Sequence, residues 1–159
     1  MTGSVARVKR ALADAGISAE VIRMPVPTRT AQEAADAMQV AVDQIAKSII
    51  LQATDGPELF LFITAGSNRV DLERAAQVAG RNMRPAKPEI IRARTGFAIG
   101  GVAPIGHLQP IPAWLDPKLV DFPQIWAAGG TPNHMFAIAP DALIRLACAR
   151  ITAFATPPG

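Results

Sequence analysis

The stretch Ile45-Ala46-Lys47-Ser48-Ile49-Ile50-Leu51-Gln52-Ala53-Thr54-Asp55-Gly56-Pro57-Glu58-Leu59-Phe60-Leu61-Phe62-Ile63 decides the architecture. Two short apolar runs flank Asp55-Gly56, a dipeptide whose backbone freedom suits a tight turn between antiparallel strands. The reading is a strand over 45–53, a turn, and a strand over 59–63. Lys47, Ser48 and Gln52 interrupt the first run. In two-residue alternation Lys47 shares a face with Ile49 and Leu51. A lysine among such neighbours either snorkels from a strand end or points into a pocket for an anion, and the residues alone leave both open.

Upstream, Thr30-Ala31-Gln32-Glu33 has capping-box spacing and predicts a helix from Ala31 to about Met38. It follows the loop Pro25-Val26-Pro27-Thr28-Arg29, where two prolines fix the backbone and remove donors. Residues 20–24 read as a weak strand. Ser4 is placed as the cap of a first helix through Val5, Val8 and Leu12, stopped by Gly16.

Downstream, Asp71 caps a helix through Leu72, Ala75, Ala76 and Val78 that Gly80 closes. Pro88 suits the first turn of a short helix to Arg94. Residues 97–99 are expected to form a buried strand running into Gly100-Gly101. Further strands are expected over 125–127, ending at Gly129-Gly130, and over 136–138. Pro140 and Asp141 open a last helix to about Cys148, followed by a strand within 150–154 and a loose tail over 155–159. Short strands interleaved with helices, several joined by hairpin signals, predict an α+β fold. It would be one domain over 1–159, with a mixed, mostly antiparallel curved sheet or partial barrel and helices packed around it.

Composition narrows the chemistry. The chain has 159 residues, half of them apolar, and a formal charge of +3. No apolar run approaches the roughly 18 residues of a membrane span, and no apolar signal core follows Met1-Thr2-Gly3-Ser4, so a cytoplasmic location without membrane contact is expected. The charge tolerates a nucleic-acid partner without demanding one. Tyrosine is absent and aromatics are few, which argues against a base-stacking platform. The single cysteine, Cys148, reads first as a small buried hydrophobe, the alternative being a catalytic thiol with a histidine brought near by the fold. With two histidines and one cysteine, a transition-metal site is not expected. Nucleophile elbow, phosphate-loop, metalloprotease and dinucleotide motifs are all missing.

Two glycine-paired segments remain. In Thr95-Gly96-Phe97-Ala98-Ile99-Gly100-Gly101-Val102-Ala103-Pro104-Ile105-Gly106-His107, the paired glycines let main-chain amides approach a ligand, and Pro104 would stiffen the loop. In Ala128-Gly129-Gly130-Thr131-Pro132-Asn133-His134, a glycine pair is followed closely by Thr131 and His134. Each segment reads as a polar turn or as a pocket wall.

Together with Lys47-Ser48-Ile49, these segments resemble the YbaK/ProX family of aminoacyl-tRNA deacylases, related to the editing domain inserted in some prolyl-tRNA synthetases. The family's Thr-Gly-Phe/Tyr-x-x-Gly-Gly-x-x-Pro-x-Gly pattern is matched by Thr95 through Gly106, and its later glycine pair by Gly129-Gly130. The resemblance implies a trans-acting hydrolase that cleaves the ester between an amino acid and the 3′ end of tRNA, with no metal, no other cofactor and no covalent nucleophile. It implies that amides near Gly100 and Gly101 hold the ester oxygen and that Lys47 binds a nearby phosphate or ribose. Ile49, Pro104, Gly129, Gly130, Thr131 and His134 would contact substrate. A pocket of Ile49, Ala98, Met135 and Phe136 would suit a small aliphatic amino acid, alanine on a proline tRNA being favoured.

Where some members carry a serine before the second glycine pair and an aspartate after it, this chain has Ala128 and Met135; cysteinyl specificity is therefore not implied. A noncatalytic module that binds tRNA or a synthetase is the alternative, and a hydrolase of some other small ester or amide is a third reading. A synthetase partner and the oligomeric state stay open.

Overall fold

The computed structural model describes residues 3–157. Its sheet is built on the hairpin expected from the sequence. Strand β2 (Ile45–Ala53) pairs antiparallel with β3 (Leu59–Ala65) from Ala46↔Ala65 to Gln52↔Leu59. Every residue of β3 is buried. That explains its unbroken apolar run: a strand covered on both faces has no polar side to alternate with.

Around this pair lie β1 (Val21–Arg23), β6 (Ala113–Leu115), β7 (Ile125–Ala128), β8 (His134–Ile138) and β9 (Arg150–Ile151), in the order β1-β8-β7-β2-β3-β6-β9. The β1/β8 and β7/β8 pairs are antiparallel. The β2/β7, β3/β6 and β6/β9 pairs are parallel. Strand β5 (Met83–Pro85) adds to β2 beside β7 rather than beyond it. The sheet is mixed and open, with β1 and β9 at its ends.

Helices cover both faces. One face buries Ala46 and Ile50 of β2 and Leu61 and Ile63 of β3 against Val8 and Leu12 of α1 (Gly3–Asp14), Ile91 of α4 (Pro88–Thr95) and Leu143 of α5 (Pro140–Ala147). The other buries Leu51, Phe62 and Trp114 against Ala75 of α3 (Leu72–Ala79) and Phe154. Phe62 stacks on Trp114 with ring centroids 5.0 Å apart. A third cluster packs Ala34 and Ala35 of α2 (Ala31–Met38) on Ile45 and Met135.

The local signals at α2 and α3 work as their chemistry requires. Thr30 and Glu33 exchange both capping-box bonds, and Asp71 accepts from the amides of Glu73 and Arg74 while Gly80 closes α3 in the left-handed conformation.

Four expectations are corrected. Ser4 lies inside α1, which already begins at Gly3. Residues 97–99 form no strand, because left-handed Gly96 and Gly100 turn the chain on either side. Cys148 is exposed, since it takes the left-handed cap position after α5. Part of the tail is tied down: β10 (Ala155–Thr156) pairs with β4 (Arg69–Val70); Pro158 and Gly159 lie outside the described residues. Among the described residues, no helix is long and apolar enough to cross a membrane.

Candidate active site

A cavity of about 700 Å³ opens where the sheet is incomplete. On one edge of β2, β7 covers only Ile45 and Ala46, and β5 covers only Leu51 to Ala53. The middle of the strand lies bare between them. Residues of α2, the turn after β3 and the loop at 99–102 complete the walls. Ile45, Ile49, Ile99, Val102 and Met135 make much of the lining apolar, while Lys47, Ser48 and Arg29 add polar groups.

Lys47 is half-buried in this wall. Its Nζ donates to the Asn68 carbonyl at 2.6 Å. Asn68 in turn donates from Nδ2 to Asp116 Oδ2 at 2.9 Å, and the same oxygen accepts from the Ala65 amide at 3.1 Å. Asp116 is buried. Ser67, next to Asn68, donates its amide to Asp43 at 2.9 Å. The lysine is thus held by a carbonyl that is itself anchored. An ammonium carries three donors, so two remain for a ligand. Burial, and then the charge of Arg69, push its pKa below the ordinary lysine value, with Asp116 and Asp43 acting the other way.

The loop from Thr95 to His107 is stapled rather than free. Arg7 donates to the carbonyls of Gly96 (2.8 Å) and Gly106 (3.1 Å), and its guanidinium lies 5.0 Å from the centre of the Phe97 ring. The Gly101 amide donates to Ala98 at 3.0 Å, closing a turn in which Gly100 has φ 90. A type II turn requires such an angle at its third residue. Gly101 also lies against the hairpin that carries Thr131, where a β-carbon would come within 2.5 Å of Thr131 Cα. Of the two amides expected at the ester oxygen, that of Gly101 is therefore engaged inside the turn. Gly100 lines the cavity.

Lys47, Ile49 and Gly100 are thus brought to one cavity. The other expected contacts are not part of its lining. Pro104 lines a second cavity of about 290 Å³, with His107 and Cys148. Gly129 and Gly130 serve the hairpin between β7 and β8. The Gly129 amide donates to His134 at 2.7 Å, and β-carbons at the two positions would press on Val21 and on the Ser4 backbone. Thr131 Oγ1 and His134 Nδ1 are hydrogen-bonded at 2.5 Å in the same hairpin. Burial, then Arg23 and Lys9, lower the His134 pKa. Ala128 and Met135, flanking the hairpin turn, do face the cavity. Of the side chains expected to shape a small pocket, Ile49 and Met135 line it, Ala98 is exposed, and Phe136 is buried in the core.

Sequence reasoning missed Arg29, Gly66, Asn68 and Asp116. Arg29 had a local signal, a cation at the end of a proline-stiffened loop just before a capping box. Asn68 and Asp116 are 48 residues apart, and no local pattern joins them. Among the described residues, no group of three or more His, Cys, Asp or Glu side chains is placed to hold a metal ion.

The chain is similar in sequence and fold to known proteins. Residues 25–146 match the aminoacyl-tRNA editing domain family. A crystal structure provisionally described as a trans-editing enzyme for prolyl tRNA synthetase is 43% identical, with a TM-score of 0.88 and 96% of each chain covered. The uncharacterised protein YwhH of Bacillus subtilis (strain 168) is 26% identical over 132 residues, 83% of each chain. EbsC of Enterococcus faecalis (strain ATCC 700802 / V583), provisionally named a Cys-tRNA(Pro)/Cys-tRNA(Cys) deacylase, is 23% identical over 119 residues, 74% of this chain and 71% of that protein.

The fold and the matched family define a hydrolase of aminoacyl-tRNA. The chain belongs to the aminoacyl-tRNA editing domain family, and aminoacylated tRNA is its substrate.

Proposed function

We propose that this hydrolase acts in trans on a proline tRNA carrying a small aliphatic amino acid, alanine being favoured. The observation that carries the reading is the shared cavity. A cation, Lys47, and a turn glycine, Gly100, line the same space as Ile49, Ile99 and Met135.

The ester needs little activation. Its barrier falls when fixed donors meet the oxygen that gains charge as water attacks. In this reading the Gly100 amide faces that oxygen, because glycine lets the backbone come close and its neighbour's amide already fixes the turn. A ribose hydroxyl of the terminal adenosine, or the substrate amine, positions the water. The two unspent donors of Lys47 hold the phosphate or ribose. No metal takes part. An apolar wall accepts a methyl group, though discrimination by one methylene is worth only about 1–3 kcal/mol, so neighbouring small amino acids are also cleaved. Recognition of tRNA falls to the acceptor end or to a synthetase partner, in the cytoplasm.

The test is deacylation of a panel of mischarged tRNAs by the purified chain. Fast release of alanine from proline tRNA, with cysteine and larger side chains slower, supports the assignment. Preference for cysteine, or equal rates on every tRNA and amino acid, contradicts it.

A further inference from the structure

The bare edge of β2 carries several polar groups with no partner among the described residues. The Ile50 carbonyl accepts from the Ala86 amide at 3.2 Å, so Ile50 directs its main-chain groups to the edge shared by β7 and β5. Strand backbone alternates with a period of two, which turns the amide and carbonyl of Ser48 to the same edge. The β7 ladder ends at Ala46 and the β5 ladder starts at Leu51. The Ser48 amide, the Ser48 carbonyl and the Ile50 amide therefore have no backbone partner there among the described residues. Ser48 Oγ is also buried without a hydrogen-bond partner, and Ser48 and Ile50 both line the cavity.

Buried polar groups are nearly always paired, and a cluster left open beside a cavity implies a ligand that completes it. We propose that this edge grips the amino group of the aminoacyl ester. The Ser48 carbonyl and Oγ accept hydrogen bonds from the α-ammonium, while the amides of Ser48 and Ile50 face an oxygen of the ester or ribose. The α-ammonium is common to the amino acids this site would meet. The edge thus orients the substrate without reading its side chain, which is left to Ile49 and Met135. This inference rests on the cavity being the ester site.

The experiment compares alanyl-tRNA with lactyl-tRNA, its analogue bearing a hydroxyl in place of the α-amine, each enzymatic rate divided by the spontaneous rate. The wild type is expected to accelerate the alanyl ester about tenfold or more beyond the lactyl ester. Ser48→Ala should lower kcat/KM for the alanyl ester about tenfold more than for the lactyl ester. Its melting temperature should hold or rise, because the variant removes an unpaired buried hydroxyl. Equal acceleration of the two esters overturns the inference, as does a Ser48→Ala variant that melts earlier and loses both activities alike. Should the wild type cleave neither alanyl-tRNA nor any other aminoacyl-tRNA, the proposed function itself falls, and this inference with it.

Discussion

Lys47 reaches the Asn68 carbonyl at 2.6 Å, and that contact fixes where a charge sits in the cavity wall. A free lysine would extend into water and take up many rotamers. Here one donor is held by a main-chain oxygen in the turn after β3. The turn is held in its own right by Asp116, reached through the Asn68 side chain, and by Asp43, reached through Ser67. The cation is therefore pre-positioned, and a substrate need not supply the ordering entropy.

Asp116→Asn is expected to loosen this arrangement from a distance. One Asp116 oxygen accepts from Ala65 and Asn68, and the other from the Lys118 amide. An amide group in its place turns a donor toward a donor, which costs about 1–3 kcal/mol when buried. Thermal denaturation should show a loss of roughly 2–4 °C for each kcal/mol. Deacylation kinetics at a temperature where the variant stays folded should show a lower kcat/KM. An unchanged kcat/KM would mean that the anchor does not position Lys47.

Gly66→Ala tests the same turn sterically. A β-carbon at Gly66 would collide with the Val42 carbonyl oxygen. A backbone oxygen cannot swing aside as a side chain can, so the turn must shift, at a cost of about 1–3 kcal/mol. Reduced stability in denaturant unfolding, together with reduced activity, is the expected pair of results. A variant as stable as the wild type would show that the turn is pliant.

Acid should destabilise the protein through its histidines. Burial lowers the pKa of His107 most, with Arg7 adding to it and the Ala103 carbonyl, which accepts from Nε2 at 2.7 Å, opposing it. Burial also lowers His134. With the folded pKa below the unfolded value of about 6.5, the unfolded chain binds more protons between the two, so stability is lost as pH falls through that window. His107→Gln, which keeps a donor but does not titrate, should flatten the decline in melting temperature between about pH 7 and pH 5. Superimposable profiles for variant and wild type would remove His107 as the cause.

Arg29 stands exposed at the cavity, its Cγ 3.2 Å from where a Gly100 β-carbon would lie. Among the described residues it makes no ion pair or hydrogen bond with a side chain, so its charge is available to RNA. Arg29→Ala should raise KM with little change in kcat. It should also make the dependence of log(kcat/KM) on log salt shallower by about 0.7, the share of one phosphate on a single strand. An unchanged salt slope would take Arg29 out of the RNA contact.

What the sequence made legible was what its neighbours along the chain control. Asp55-Gly56 between apolar runs, the Thr30–Glu33 capping box, and Asp71 with Gly80 each act within a few residues, and each element lies where those signals put it. The strand assigned to 97–99 failed because apolar content outweighed two left-handed glycines at its ends. Cys148 was misjudged by composition too, since an apolar run does not say where a helix ends. The bare edge of β2 had no sequence signature. It arises because β7 leaves the strand after Ala46 and β5 joins it only at Leu51, and both partners come from distant parts of the chain. The motifs single out Lys47 and Gly100, which line the cavity, but the hydrogen bond that engages Gly101 depends on the conformation of the turn.

The most direct test is single-turnover release of alanine from alanyl-tRNA(Pro) by the wild type and by Lys47→Ala. The account predicts a loss on the order of a hundredfold in the variant, with its melting temperature nearly unchanged. A variant rate within about twofold of the wild type would contradict it, because the cation held by Asn68 would then have no part in the reaction.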